Sequence, residues 1–385
     1  MTTAVIVDAV RTASGRGKPG GQLSSFHPVD LLGTVLRGLV DRNRLDPALV
    51  DDVIGGCLSQ VGEQAVNITR NAVLAAGFPV SVPGTTVDRQ CGSSQQAATF
   101  AAHGVIAGAY DIVIACGVEL MSKNPINFAT LGQDPWGPMV AARYPDGLVG
   151  QGISAELIAA RWDLSREVLD EYAAHSHRLA AAADFSREIL PVGDHLVTDE
   201  TIRPNTTVES LAALAPAFSD EAMAHRFPEI DWRITAGNSS PLTDGASAVL
   251  IMSEERATQL GLAPRARFHS FAVVGSDPIE MLSGVLPATR RILERSWVAL
   301  EDIDSYEVNE AFASVPLAWL HEFDADPEKL NPRGGAIALG HPLGSSGTRL
   351  LTTMLGTLEQ TGGRYGLQVM CEGAGMANAT IIERL

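Results

Sequence analysis

The chain has 385 residues, too many for one simple core, so two or three packed domains are expected. Apolar residues make up 45% of it and charged residues 19%, the balance of a soluble globular protein, and no uninterrupted apolar stretch is long enough to span a bilayer. A formal net charge of −17 argues against a general polyanion-binding surface, so nucleic acid is not an expected partner, although a local Arg or Lys cluster would still suit a small anion.

The chain opens on a strand, Ala4-Val5-Ile6-Val7, with no basic leader, and its end, Ile382-Glu383-Arg384-Leu385, is no peroxisomal address; both suit a cytoplasmic protein. Apolar spacing at Leu31, Leu32, Val35, Leu36 and Leu39 predicts a helix over 28–41. A strand over 52–56, a helix over 67–76, a strand over 82–87, an Ala-rich helix over 92–107 and a strand over 111–115 follow. Such alternation predicts an α/β fold with a largely parallel, buried sheet. From 121 to 242 the texture changes to Pro- and Gly-rich loops with helical runs over 154–162 and 166–183, which reads as an insertion folding over a site. The α/β pattern resumes after Asp244 and continues to Leu385.

The second α/β stretch echoes the first. Asp51-Asp52-Val53-Ile54-Gly55-Gly56 resembles Asp302-Ile303-Asp304-Ser305-Tyr306-Glu307-Val308. Further on, a Gly/Ser-rich turn opens a helix in each half, at Cys91-Gly92-Ser93-Ser94 and at Gly344-Ser345-Ser346-Gly347. A duplicated fold would bring Cys91, Asn309, His341 and Cys371 around one pseudo-twofold axis.

Cys91 lies between a strand and a helix. Free N–H groups and the positive end of the helix dipole favour a thiolate there, so a lowered pKa is expected. By itself Cys91 also suits a small core cysteine. His341 sits among five glycines from Gly334 to Gly347, where tight turns suit either a base that activates a thiol or a histidine capping a loop. Cys371 follows an apolar strand, and Gly373 could offer its N–H to an oxyanion; a second core cysteine is the alternative. Asn309 could hold a water or cap a helix. Cys57 and Cys116 read as packing residues. The four cysteines form no CxxC pair, which argues against disulfides and a zinc site. His175 and His177 are two apart on a helix and make a poor metal pair.

Together these segments resemble the thiolase family, in its order and over the full length. Val87-Asp88-Arg89-Gln90-Cys91-Gly92-Ser93 is similar to its nucleophile motif, and Asn309-Glu310-Ala311-Phe312 to its NEAF motif. Residues 334–347 resemble GGAIALGHPxGxSG, Cys371-Glu372-Gly373 resembles CxG, and 237–246 resemble GNxS…DGA. The resemblance implies duplicated αβα halves forming a five-layered αβαβα core. Residues 1–120 with 243–262 would be the N-terminal half, 121–242 an inserted loop domain that binds coenzyme A, and 263–385 the C-terminal half. It implies Cys91 as nucleophile, His341 as its base, and Cys371 as the acid and base for the departing enolate and incoming coenzyme A. It also implies oxyanion sites at His341 with an Asn309-held water and at the Cys91 and Gly373 N–H groups. Arg203 and Ser210 would meet the adenine nucleotide; Ala236, Ser240, Phe218 and Phe312 would line the pantetheine path. Coenzyme A is implied as co-substrate with no permanent cofactor or metal, and a homodimer or homotetramer is implied.

Four features depart from common patterns of the family. Glu372 and Ala374 replace a frequent apolar residue and a frequent Gly, and Glu372 could raise the pKa of Cys371. Gln151-Gly152 stands where biosynthetic acetoacetyl-CoA thiolases have His-Met-Gly, and 219–233 is long. The stretches 53–70, 87–97 and 370–385 resemble actinobacterial thiolases of acyl-chain and steroid-ring breakdown. A degradative enzyme with a bulky 3-oxoacyl-CoA is expected. The alternatives are a biosynthetic thiolase, a ketoacyl-synthase-like condensing enzyme, which would use two His, and a non-catalytic acyl-CoA-binding subunit.

Overall fold

A computed structural model describes residues 2–193 and 197–385. Its strands are β1 (Ala4–Arg11), β2 (Gly15–Arg16), β3 (Asp52–Gly56), β4 (Thr85–Val87), β5 (Ile112–Leu120), β6 (Thr243–Ser253), β7 (Ala266–Gly275), β8 (Ser305–Val308), β9 (Tyr365–Glu372) and β10 (Met376–Arg384). They run side by side as β4-β3-β5-β6-β1-β7-β10-β9-β8, with β2 on β6. The order β3-β5-β6-β1 is repeated as β8-β9-β10-β7. In each set the first pair is parallel and the next two are antiparallel. Among the described residues the two sets pair through Val5 opposite Arg267 and Ile6 opposite Ala266. The echo in the sequence is thus a duplicated topology.

Alternation along the strands feeds separate cores. On β5, Ile112, Ile114 and Cys116 join a cluster with Leu31, Leu32, Val35 and Leu36 of the helix Pro28–Arg42. Val113 and Ala115 point the other way, into a cluster with Ala97, Ala98, Ala101, Leu351 and Met354. Those residues belong to the helices Ser93–Ile106 and Ser346–Thr361, which form the middle layer between the two strand sets. On the far side, the helix Val285–Ser296 packs Val285 and Ile292 against Val369 and Ile381. The five layers are therefore helix, sheet, helices, sheet, helix.

The middle layer explains the Ala-rich helix. Both helices are covered on every side at their N-terminal ends, so small residues are needed for close approach. At Gly347 an added Cβ would lie 2.0 Å from the backbone nitrogen of Gln95. The N-terminal turns of the two helices therefore meet, and Ser94 Oγ accepts from Thr348 N–H at 3.0 Å.

Two strands differ from expectation. Only Thr85–Val87 of the expected 82–87 pairs, because Pro83 has no N–H to donate. In contrast, β5 continues to Leu120, five residues past the expected end, with Gly117 required where an added Cβ would lie 2.3 Å from Gly344 O. Cys116-Gly117 reads locally as a break; tertiary packing makes it a crossing point. Between Leu120 and Thr243 the chain forms the helices Gly137–Arg143, Gln151–Arg161, Arg166–Ala182, Val208–Ala212 and Glu221–Arg226. No described helix is long and apolar enough to cross a membrane.

Candidate active site

The turn before the first central helix sets Cys91. Gln90 is left-handed (φ +51°), a conformation that costs a non-glycine residue about 1 kcal/mol. It is held because its N–H donates to Asp88 Oδ1 at 2.7 Å and its carbonyl accepts from Ser93 Oγ at 2.6 Å. Cys91 is 2% exposed and packs with Met121, Leu343, Leu350 and Met370. Leu343 is two residues from His341, and Met370 precedes Cys371, so segments of both halves converge here.

Burial, then the neighbouring Cys371 and Glu372, push the Cys91 thiol well above its ordinary pKa. This corrects the expectation of a lowered pKa. Partial charges at a helix end are worth about 1 kcal/mol, and complete removal from water outweighs them. Cys91 rests as a protonated thiol and needs a base.

His341 is buried on the loop that carries Leu343. Its N–H donates to Thr243 Oγ1 at 3.0 Å, which fixes the turn. Ser346 Oγ lies 2.6 Å from Nδ1 and donates its own proton to Pro342 O at 2.8 Å. A hydroxyl that is already donating must accept from the ring, so the proton sits on Nδ1 and Nε2 carries the lone pair. Asn309 Nδ2 lies 3.3 Å from Nε2, in agreement with that tautomer. Burial, then Arg349, lower the His341 pKa to about 3, so the imidazole is neutral at physiological pH.

Cys371 is the last residue but one of β9 and is fully buried. Burial, then Glu372, push its thiol up to about 12, as the proximity of Glu372 suggested, while the Asn309 amide acts in the opposite direction. Gly373 faces the Cys91 turn: an added Cβ there would lie 2.8 Å from Gln90 Oε1. Ala374 is left-handed (φ +63°), where glycine would be unstrained. The structure thus assembles Cys91, Cys371, Asn309, His341 and Gly373 at one buried locus.

Three braces surround this locus, and two of them have no local signature in the sequence. Glu119 accepts from Leu58 N–H (2.9 Å), Ser59 N–H (3.1 Å), Gln64 Nε2 (2.8 Å) and Gly344 N–H (2.9 Å), tying the His341 loop to the N-terminal half. Glu310 accepts from Tyr172 Oη, Ser176 Oγ, Asn331 Nδ2 and Ile337 N–H at 2.7–3.1 Å. Through Ile337 it anchors the segment that leads to His341. Ser346, which orients the ring, is the one findable from sequence, as a hydroxyl five residues after a glycine-flanked His.

The residues expected along coenzyme A lie outside this locus. Phe218 and Phe312 meet edge to face, with ring centres 5.7 Å apart, and Phe218 covers Gly152. Ser240 N–H donates to Ala311 O at 2.9 Å, joining that turn to the NEAF segment. Ser210 caps the helix Val208–Ala212 with Thr207, and Leu211 of that helix abuts Gly237, next to exposed Ala236. Arg203 is exposed at the turn leading to this helix, its N–H donating to His177 Nδ1 at 3.1 Å. A hollow of about 500 Å³ lined by Tyr172, His175, Leu317 and Asn331 is bordered by none of the reactive groups. Among the described residues no group of three or more His, Cys, Asp or Glu could hold a metal ion.

Two thiols, a neutral imidazole and a carboxamide gather at the meeting of two duplicated halves, an arrangement suited to acyl transfer. Comparison with known proteins agrees. Residues 4–255 match the family model "Thiolase, N-terminal domain" and residues 262–384 match "Thiolase, C-terminal domain". The chain belongs to the thiolase family and is an acyltransferase. It is 48% identical to the steroid 3-ketoacyl-CoA thiolase FadA6 of Mycobacterium tuberculosis, over 100% of this chain and 95% of that protein. It is 44% identical to a 3-ketoacyl-CoA thiolase of Serratia proteamaculans, over 100% of both. The crystal structure of the Bacillus anthracis acetyl-CoA acetyltransferase aligns with a TM-score of 0.88 at 36% identity, covering 100% of this chain and 99% of that one.

Proposed function

We propose that the enzyme degrades a 3-oxoacyl-CoA by thiolysis through an acyl-enzyme on Cys91. The observation that carries this reading is the His341 tautomer: Nδ1 is committed to Ser346, so Nε2 presents its lone pair, which Asn309 Nδ2 meets at 3.3 Å, as the acceptor for the thiol proton. His341 takes that proton as Cys91 sulfur attacks the 3-keto carbon. The Cα–Cβ bond then breaks, its electron pair forms the acetyl-CoA enolate, and Cys371 supplies the proton. Coenzyme A gives its thiol proton to the Cys371 thiolate and attacks the acyl group. Cys91 leaves as thiolate and recovers its proton from His341.

Because the thiol and the imidazole are both neutral at rest, charge develops only when a carbonyl is present to receive it. That favours a proton transfer concerted with attack. The oxyanion on one carbonyl would be met by His341 and a water held by Asn309, whose Oδ1 is buried without a partner. The other would be met by the N–H groups of Cys91 and Gly373. Residues 121–242 would carry coenzyme A as co-substrate, with Arg203 and Ser210 at the nucleotide and Ala236, Ser240, Phe218 and Phe312 along the pantetheine.

A bulky acyl group is supported by the segment 219–233. It forms the helix Glu221–Arg226, and Met223, Phe227, Ile230 and Trp232 build a small apolar core with Val149, Ile153 and Leu157. This core broadens the apolar wall beside Phe218 and Gly152. The steroid thiolase named above supports the same class of substrate. Self-association into a homodimer or homotetramer is supported by the exposed apolar side chains Ile126, Phe128, Leu131, Trp136 and Met139.

Intact-mass analysis after mixing with acetyl-CoA tests the core of the reading. Cys91 should gain one acetyl group, and Cys91→Ala should gain none. Thiolysis of linear and ring-bearing 3-oxoacyl-CoA substrates tests the rest; strict preference for acetoacetyl-CoA would return the enzyme to the biosynthetic class.

A further inference from the structure

One carboxyl group beside the two thiols is unused by the reaction above. Glu372 follows Cys371 on β9, and strand alternation sends its side chain to the face that carries Gln368 and Met370, towards the central helices. It is fully buried, and neither carboxyl oxygen has a hydrogen-bond partner among the described residues. The side chain ends against Gly92, the residue after Cys91. A Cβ added to Gly92 would lie 1.8 Å from Oε1 and 2.7 Å from Cδ. Glu372 therefore fills the space between the turn that bears one thiol and the strand that bears the other.

Among the described residues Glu307 is also buried with Oε1 unpaired, but two other buried carboxyls differ from Glu372. Glu119 accepts five hydrogen bonds, one of them from the Cys57 thiol, and Glu310 accepts four. Of the charged groups facing Glu372, Asp88 and Arg89 lie on the Cys91 turn, and Arg89 turns a guanidinium nitrogen to Met376 Sδ at 3.6 Å rather than to the carboxyl. The first turn of the helix Ser93–Ile106 carries no acidic residue. On β9 and β10 the neighbours are Cys371 and Met376. Glu119 also acts on Cys91 through its charge. A buried carboxylate without a donor is costly, and the group avoids that cost by keeping its proton. Burial outweighs the help of Arg89 and moves the Glu372 pKa to about 9.

We infer that Glu372 is a positioning residue that works as an uncharged acid: neutral, it closes the wall between Gly92 and Cys371, and ionised, it opposes both thiolates. The inference rests on the two-thiol mechanism proposed above. Each half-reaction passes through one thiolate, on Cys91 during attack and on Cys371 after the enolate is protonated. Glu372 is among the groups that raise both thiols. A negative charge at this position therefore closes the alkaline side of the working range for both steps.

Glu372→Gln keeps the shape and removes the ionisation. The rate of Cys91 alkylation by iodoacetamide, read by peptide mass mapping, is compared with the natural enzyme from about pH 6.5 to about pH 10.5. The ratio of variant to natural rate should be near one below about pH 8 and reach about threefold or more by about pH 10. The alkaline limb of kcat/KM for thiolysis should move upward in the variant. A packing role alone would change the rate by the same factor at every pH, and a constant ratio overturns the inference. If the variant does not fold, the natural enzyme decides: log alkylation rate should fall below unit slope near about pH 9, and unit slope throughout overturns the inference. Failure of the two-thiol mechanism would look different, because Cys91 would then take no acetyl group from acetyl-CoA at any pH.

Discussion

The residues proposed for chemistry and those proposed for coenzyme A are built in opposite ways. Cys91, Asn309, His341 and Cys371 are at most 4% exposed and are held by contacts between segments far apart in sequence. Arg203, Ser210 and Ala236 are exposed on short turns and one short helix. The first set must place atoms to a fraction of an ångström in a dry site; the second has to grip a large, polar handle shared by every substrate. Substitutions in the first set should therefore act on kcat, and those in the second on KM.

The largest effect is expected for Cys91→Ala. Thiolysis should fall by about 10⁴-fold or more with little change in melting temperature, since only a sulfur is removed. Steady-state rates alongside a thermal melt check this, and a comparable loss from an exposed coenzyme A residue would break the contrast.

His341→Asn should cost about 10³-fold in kcat. It also carries a signature in stability. The folded imidazole titrates near 3, below its ordinary 6.5, so between those values the unfolded chain binds the proton and the folded one does not. The natural enzyme should lose stability as pH falls from 6.5 towards 3, and the variant should lose less over that window. Denaturant melts at several pH values read the difference.

Gly92→Ala tests the interlocked geometry directly. The new methyl would meet Glu372, a fully buried side chain, and overpacking of that kind costs about 1–3 kcal/mol. Adding Glu372→Ala should recover most of the loss, a non-additivity that two independent sites would not give. Ser346→Ala is milder. It frees the His341 ring to change tautomer, and kcat should fall about tenfold with KM steady.

The same contrast governs what could be read from the sequence. The residues proposed for chemistry sit in local motifs, so Cys91, Asn309, His341 and Cys371 could be nominated from the sequence, and the duplicated strand order followed from the echoed segments. What was not legible depends on distance in the chain. Glu119 braces Gly344 across 225 positions, and no spacing rule links a carboxylate on one strand to a loop in the other half. The direction of the Cys91 pKa was misread for the same reason: a helix N-terminus is visible locally, but the complete burial that overrides it comes from Met121, Leu343, Leu350 and Met370. The continuation of β5 through Gly117 is another case, since the residue that fills the space of its missing side chain belongs to the His341 loop.

Arg203→Ala should give the smallest effect. Among its contacts, the N–H to His177 and the carbonyl accepting from Thr206 belong to the backbone and survive the substitution, so the turn should persist and the fold should be unaffected. An exposed guanidinium beside a phosphate or adenine contributes about 1 kcal/mol after solvent screening, which is about a fivefold rise in KM for coenzyme A. The rise should be steeper at low ionic strength and should leave kcat alone, because the acyl group reaches Cys91 by the same path. An equal KM for a truncated pantetheine thiol in both forms of the enzyme would complete the case, since that ligand lacks the part Arg203 is proposed to touch. If instead kcat fell and KM held, the exposed turn would belong with the chemistry, and the division between a buried reactive centre and a solvent-facing grip would have to be redrawn.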